Sequence, residues 1–397
     1  MSFFKDCSGT AAVAAILAVV VSFTGSAVLI FQAAHLAGLP EAVTSSWIWA
    51  VSIGSGVTGI FLSWKMKIPV ITAWSTPGAA LLIAMLPGVP LAEAIGAYIA
   101  SALIITIIGI TGTLDALMRR IPAAVSSGMF AGILFSFGAR VFTCVKPAPV
   151  LTLGMIACFI LYRRISPRYC VAAVMLVGMG IAAAGGMMHF DSLAFVPTMP
   201  VLTAPQFSCA TAVRLGIPLA LVTLTGQYIS GMAVLHASGY RVQSNGIMTV
   251  TGICSALLAP FGAHAINLSS LTAAICTGPE AHKNPSKRYV AGIFCGALYI
   301  VAGVMGSTIT SLFSALPPTF VAVLAGLALI SAFTTGFMGI FKDSENIEAG
   351  IFAFLATASG MDYLGLGAPF WGLLFGGLMF AVLGWRKNWP QGAKTKA

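Results

Sequence analysis

The stretch Ile68-Pro-Val-Ile-Thr-Ala-Trp-Ser-Thr-Pro-Gly-Ala-Ala80 decides how the chain is read. It opens with β-branched residues around a proline, then turns to small residues behind Ser75, Thr76 and Pro77. Isoleucine, valine and threonine favour an extended backbone. A proline in the first turn after a serine or threonine cap starts a helix. The predicted element is therefore a short extended stretch followed by a half-length helix, with Ser75 or Thr76 as its cap. The flanking sequence is apolar on both sides, so the break falls inside a hydrophobic region.

That hydrophobic region extends over most of the chain. Of 397 residues, 58% are hydrophobic and only 8% charged, with a mean hydropathy of +0.98. A soluble domain carries about 25% charged residues, so this surface belongs in lipid. A helical crossing takes roughly 20 apolar residues, which leaves little chain for a soluble domain. The 43 glycines suit helices that approach closely where lipid supplies no hydrophobic drive. The net charge of +10 raises nucleic acid as a partner. The cations lie in short loops between apolar runs, however, which is the positive-inside pattern, and no nucleic acid is expected. The eight cysteines (7, 144, 158, 170, 209, 254, 276 and 295) are dispersed without a CxxC pair. Neither a disulfide nor a metal site is read from them, and no cofactor is implied. The first apolar run is long and reads as a first span rather than a removed signal peptide.

Apolar runs fall at about 11–36, 45–64, 72–86, 91–113, 121–139, 148–163, 169–187, 212–237, 244–259, 265–277, 288–309, 317–336, 346–359 and 366–385. The expected fold is all-α and integral to the membrane, with fourteen transmembrane segments. With the amino terminus inside, every lysine and arginine except Arg140, Lys146 and Arg214 falls on the cytoplasmic side. A miscounted span would invert every later loop and destroy that asymmetry. A multi-pass protein of a bacterial inner membrane, with both termini cytoplasmic and lipid around it, is expected.

Sliding the sequence on itself by 194–195 positions gives a weak but ordered match. Gly109, Gly112 and Gly132 fall on Gly303, Gly306 and Gly326, and Ile121-Pro122 falls on Leu316-Pro317. Ser75 to Ala80 falls on Ser269 to Ala274, and Gln32 on Gln227. The offset divides the segments into seven plus seven, residues 1–190 and 210–390. Seven is odd, so the second half runs inverted through the membrane. Inverted repeats are characteristic of secondary transporters, which alternate access around a central site.

The repeat carries the opening stretch onto Pro260-Phe-Gly-Ala-His-Ala-Ile-Asn-Leu-Ser-Ser-Leu-Thr-Ala-Ala274, again extended and then helical, with Asn267 or Ser269 as cap. Segments 3 and 10 are thus the broken pair. Extended backbone at membrane depth is tolerated only where protein or a polar cavity covers it. Two facing half-helix amino termini offer an anion site without a buried arginine. Ser75, Thr76, Gly78, Asn267, Ser269 and Ser270 are the candidate binding residues there. The alternative for each is an ordinary cap or an interhelical hydrogen bond. Gln32 and Gln227 are the other polar residues in apolar spans, and Gln227 beside Tyr228 is the better candidate to face a site.

The ten acidic residues lie at helix ends or in loops. An intramembrane carboxylate is the usual proton relay, so proton coupling has no obvious carrier. His264, next to the second break, is the candidate for that role. An interfacial histidine without a coupling role is the competing account.

Ile71-Thr-Ala-Trp-Ser-Thr-Pro-Gly-Ala-Ala-Leu81, Phe23-Thr-Gly-Ser26 and Phe261-Gly-Ala-His-Ala-Ile-Asn267 together give a resemblance over essentially the whole chain. The sequence resembles the BenE family of bacterial benzoate/proton symporters. That family is similar to a larger group containing uracil/proton symporters and sulfate-type anion transporters. The resemblance implies a core domain of spans 1–4 and 8–11, a gate domain of spans 5–7 and 12–14, and substrate between spans 3, 8 and 10. It also implies a homodimer, since relatives of that fold are often dimers. Uracil transporters are known for carboxylates on spans 8 and 10. Here Gln227 stands where the first would lie, and no acidic residue occurs between Val242 and Pro279. That suits a carboxylate substrate, which a buried glutamate would repel.

The expected function is import of benzoate or a related aromatic carboxylate by proton symport with alternating access, the ring lying against Trp74, Tyr228 or Phe23. A nucleobase or inorganic-anion transporter on the same fold is the nearest alternative, and an anion channel is the alternative of another class. The spans hold no cluster of Asp, His or Cys that would support an enzyme.

Overall fold

The computed structural model describes residues 6–114, 122–165, 170–188, 196–269, 271–278, 281–361, 363 and 368–387. Helix α1 runs as Gly9–Ser22, a π-helical turn Phe23–Ala27, and Val28–Leu36. It is followed by α2 (Glu41–Met66), strand β1 (Thr72–Trp74), α3 (Thr76–Met85), α4 (Leu91–Thr111), α5 (Ala123–Thr143), α6 (Pro149–Ile165) and α7 (Cys170–Ala184). Helix α8 contains two π-helical turns: Cys209–Thr211, Ala212–Gly216 (π), Ile217–Thr223, Leu224–Tyr228 (π) and Ile229–Ala237. Then come α9 (Ser244–Leu258), β2 (Ile266–Leu268), α10 (Leu271–Thr277), α11 (Tyr289–Val304), a short helix Gly306–Ser314, α12 (Pro318–Lys342), α13 (Ile347–Ala358) and α14 (Ala368–Lys387).

These elements occupy the apolar runs read from the sequence. Among the described residues, seven helices are long and apolar enough to cross a membrane by length and composition: Glu41–Met66, Leu91–Thr111, Ala123–Thr143, Cys209–Tyr228, Ser244–Phe261, Pro285–Val304 and Pro318–Lys342. The apolar run at about 288–309 differs from expectation, since α11 ends at Val304 and a separate short helix follows Met305.

The chain divides into two compact units. One comprises Met1–Leu114 with Ser136–Ile330, the other Asp115–Phe135 with Ser331–Ala397. In the first, α2 lies along α11 and α4 along α9, each pair meeting through small residues. A Cβ on Gly56 would stand 2.5 Å from the Gly296 carbonyl oxygen, and one on Gly296 would stand 2.6 Å from that of Gly56. On the other pair, a Cβ on Gly109 would stand 2.7 Å from the Thr249 nitrogen. Such backbone approach is how helices gain dispersion energy when lipid is the competing solvent. In the second unit Val125, Ala349 and Ala353 form a small core with Leu373, Met379 and Phe380 against it. Phe354 meets Phe135 and Phe337 edge to face, and Phe333 stacks on Phe337 and lies tilted against Phe135.

The two extended segments lie in the first unit and form one antiparallel ribbon, with Thr72 opposite Leu268, Ala73 opposite Asn267 and Trp74 opposite Ile266. Each strand is anchored by a serine of the preceding helix. Ser63 Oγ donates to the Val70 carbonyl at 3.0 Å and accepts from its N–H at 3.1 Å. Ser255 Oγ does the same for Ile266, at 3.2 and 2.8 Å. Thr72 adds a hydroxyl bond to the Ser55 carbonyl at 2.6 Å and receives one from Thr58 at 3.0 Å. Backbone polar groups that would be costly in an apolar interior are matched this way.

Candidate functional site

The ribbon and the helix behind it assemble the residues singled out from the sequence. Pro69 and the β-branched run keep the chain extended up to Trp74. Ser75, with φ −75° and ψ 105°, then caps α3 and accepts the Gly78 N–H on its Oγ at 3.0 Å. Of the two cap candidates, Ser75 takes the role. Its hydroxyl also meets Thr223 Oγ1 of α8 at 2.9 Å. The first turn of α3 is largely self-satisfied: Pro77 has no N–H, Gly78 donates to Ser75 Oγ, and Ala79 donates to the Ser75 carbonyl at 2.8 Å. Thr76 is the one amide of that turn not used in these bonds. Gly78 leaves no room for a side chain, since a Cβ there would stand 2.8 Å from Leu219 Cδ1.

On the opposite strand one of the two cap candidates, Asn267, lies within the strand itself. Asn267 is the central residue of β2, opposite Ala73, and α10 is described over Leu271–Thr277. Cross-strand pairing claims this residue before it can act as a cap. Ser269 donates its N–H to the Ile71 carbonyl at 2.9 Å, and its Oγ accepts from Thr272 Oγ1 at 2.6 Å. Ser270 lies outside the described residues.

Asn267 is 0% exposed, yet neither its Oδ1 nor its Nδ2 has a hydrogen-bond partner. Trp74 Nε1 and Gln32 Oε1 are likewise buried without partners. A native interior leaves few such atoms, and each one calls for a reason. Gln32 lies on the Val28–Leu36 part of α1, which packs along α3. Gln227 and Tyr228 fall in the π-helical turn Leu224–Tyr228, both buried. Turns of this kind widen a helix locally and recur at functional positions. The Tyr228 hydroxyl is committed to Thr251 Oγ1 at 2.6 Å and reaches the Ile266 carbonyl at 3.4 Å, so it anchors α8 to α9 and β2.

An aromatic group stands beside the ribbon. Phe23, in the π-helical turn of α1, meets Trp74 edge to face at 5.2 Å, and Tyr299 of α11 meets Trp74 at 5.7 Å. The Tyr299 hydroxyl is held by Ser22 Oγ at 2.5 Å. Phe23 and Trp74 were expected against a ring, whereas Ser22, Thr223 and Tyr299 were not singled out. Their only sequence signal is a polar or aromatic residue within an apolar run, which many structural residues share.

His264 is 1% exposed and both its ring nitrogens are engaged. Trp47 Nε1 donates to Nδ1 at 3.0 Å, which places the imidazole proton on Nε2, and Nε2 donates to the Ser75 carbonyl at 3.2 Å. The ring thus ties α2 to the cap of α3, and a second proton on Nδ1 would break the Trp47 bond. No group of three or more His, Cys, Asp or Glu side chains suited to a metal occurs among the described residues.

The fold of the chain is similar to that of solved membrane proteins. Over 96% of its length it superposes on SLC26A9, with TM-score 0.63 and 14% identity, covering 66% of that chain. Over 93% it superposes on the transmembrane domain of the cyanobacterium bicarbonate transporter BicA, with TM-score 0.61 and 14% identity, covering 96% of that chain. The family is set by sequence: residues 5–382 match the benzoate membrane transport protein family, BenE, and the chain belongs to it. It is 42% identical to a benzoate membrane transport protein of Acinetobacter baylyi, over 96% of each chain. It is 38% identical to the inner membrane protein YdcO of Escherichia coli, over 93% of this chain and 95% of that one. The protein is a multi-pass inner-membrane transport protein and not an enzyme.

Proposed function

We propose that the protein imports benzoate or a related aromatic carboxylate together with a proton, by alternating access. The observation that carries this reading is the Ala73–Asn267 ribbon, with the unpartnered amide of Asn267 and the unpartnered indole of Trp74 on it. The carboxyl group would sit near Ser75, Thr76, Gly78, Asn267, Ser269 and Ser270, with Gln227 and Gln32 from the flanking helices. The ring would lie against Phe23 and Trp74, whose edge-to-face contacts suit a further aromatic partner. Tyr228 contributes as the anchor of that wall.

The same reading takes the fourteen spans as a seven-plus-seven inverted repeat, with a core domain moving against a gate domain and both termini in the cytoplasm. Support comes from the packing of α2 on α11 and of α4 on α9, which are equivalent pairs under the repeat. The family name of its relatives supports benzoate as cargo.

Uptake of labelled benzoate into proteoliposomes under an inward proton gradient tests the function. Uptake no greater than in empty vesicles would sink it. Competition by uracil or sulfate, but not by benzoate, would select the nucleobase or inorganic-anion reading. Counterflow of preloaded substrate would separate a carrier from an anion channel.

A further inference from the structure

We propose that the site takes its aromatic acid in the neutral, protonated form, so that the coupled proton crosses on the substrate's own carboxyl group. This rests on the benzoate reading above and adds to it the protonation state of the cargo.

The buried polar atoms without partners include acceptors as well as donors. Asn267 presents Nδ2 and Oδ1, Trp74 presents Nε1, and Gln32 presents Oε1. Because both Asn267 atoms are unpaired, the point holds whichever way the amide is turned. A carboxylate is an acceptor only. It would satisfy Nδ2 but set its lone pairs against Oδ1. A carboxylic acid carries an O–H donor beside a C=O acceptor, and a primary amide answers both at once with two parallel hydrogen bonds.

The electrostatics agree. The groups in hydrogen-bond contact around the ribbon are hydroxyls, amides, an imidazole and backbone carbonyls. The described lysines and arginines stand in loops or close to helix ends. Most amides of the first α3 turn are used within the turn itself. A carboxylate buried with no opposing charge favours its own protonation.

Among the described residues no carboxylate stands in a helix interior to take the proton. Both nitrogens of His264 hold structural bonds. The described carboxylates Asp6, Glu41, Glu93, Asp343, Glu345 and Glu348 lie before, between or at the starts of helices. On the neutral-acid route the balance is simple. One O–H bond forms on the carboxylate at the outer face, and the same bond breaks after release inside, giving one proton per substrate and no net charge moved.

The test is ligand binding to the purified wild-type protein at about pH 5.5 and about pH 7.5. Above a carboxyl pKa of about 4.3 the neutral fraction falls tenfold per unit, so the apparent Kd for benzoate should rise roughly a hundredfold. One proton should be taken up per benzoate bound, as measured in buffers of different ionisation enthalpy. Benzamide, a neutral donor–acceptor isostere, should compete with a Kd that does not vary with pH. Benzenesulfonate, which stays anionic, should not compete. The Asn267→Leu variant should lose benzoate and benzamide together. If that variant does not fold, the wild-type ligand series still decides. Benzoate binding that is independent of pH, or competition by benzenesulfonate with proton uptake, overturns the neutral-acid proposal and leaves the benzoate reading standing. Absence of benzoate binding at either pH overturns both.

Discussion

Ala73 and Asn267 are the central pair of the two-stranded ribbon, and they stand 194 positions apart in the chain. That interval is also the offset at which the two halves match in sequence. The flanking pairs cross over: Thr72 faces Leu268, the equivalent of Trp74, and Trp74 faces Ile266, the equivalent of Thr72. The proposed inverted repeat would place this arrangement on a local two-fold axis, with one residue facing its own equivalent.

An exchange across that axis follows. Asn267→Ala should lower benzoate uptake at least tenfold, a loss of about 1.4 kcal/mol or more in transport-competent binding. Moving the amide to the other strand, as Ala73→Asn with Asn267→Ala, should recover part of that loss, because both positions share one face of the ribbon. Initial uptake rates of the two variants at matched expression are the measurement. A folded double variant no better than Asn267→Ala would remove the two-fold account.

Ser75 joins the cap of α3 to Thr223 of α8. Ser75→Ala removes a cap and leaves Thr223 short of a partner, which should destabilise the protein by about 1–2 kcal/mol. Thr223→Val should cost less, since the cap survives. Detergent melting curves of the two variants should show a lower Tm for Ser75→Ala than for Thr223→Val.

His264, the candidate proton carrier in the sequence, makes two buried hydrogen bonds. Accepting from Trp47 and donating to the Ser75 carbonyl, it joins α2 to the cap of α3. His264→Phe should destabilise the protein by about 1–3 kcal/mol, because the buried Trp47 N–H loses its acceptor. His264→Gln, with one acceptor and donors, should restore part of that stability. The pH profile of uptake in His264→Gln should keep the wild-type shape at reduced amplitude. A profile flattened across the range would return the coupling role to His264.

The break at 68–80 was legible because proline, β-branched residues and a serine cap are local signals, each acting within a few residues of chain. The role of Asn267 was not. Its residue type suits a cap, but its position is set by pairing with a strand 194 residues earlier, and local propensity does not register that. The π-helical turns at Phe23–Ala27 and Leu224–Tyr228 likewise have no residue signature, since each is one extra residue accommodated by neighbouring helices. Trp47 could not be linked to His264 by any spacing rule. Their bond joins residues 217 positions apart.

At the amino-terminal end, Asp6 lies 3.1 Å from Lys287 Nζ and accepts from the Tyr289 hydroxyl at 2.9 Å. The lysine first, and then the tyrosine, hold its carboxyl below the ordinary aspartate range. A depressed folded pKa means that the contribution is present at neutral pH, where Asp6 is ionised in both states. It fades as the pH falls below about 3.9, the unfolded value, and through the lower folded one. Asp6→Asn should therefore lower the Tm at pH 7 and converge on the wild type in strong acid. A Tm difference of constant size down the whole acid range would show that the contact acts by packing rather than by charge.

Gly56 and Gly296 set how closely α2 can lie against α11. Each added Cβ would meet the other's backbone oxygen, at 2.5 and 2.6 Å. A side chain could rotate away, but a carbonyl held in a helix cannot, so the helices themselves must separate. Gly56→Ala should cost about 1–3 kcal/mol through that overpacking, despite the better helix propensity of alanine. Gly180 of α7 is the contrasting case, with nothing within 4 Å of its added Cβ. Gly180→Ala should be neutral or stabilising by up to about 1 kcal/mol. Opposite shifts in Tm for the two substitutions would separate close approach from backbone freedom as the reason for glycine at the α2–α11 crossing. Equal shifts would leave the crossing without that explanation.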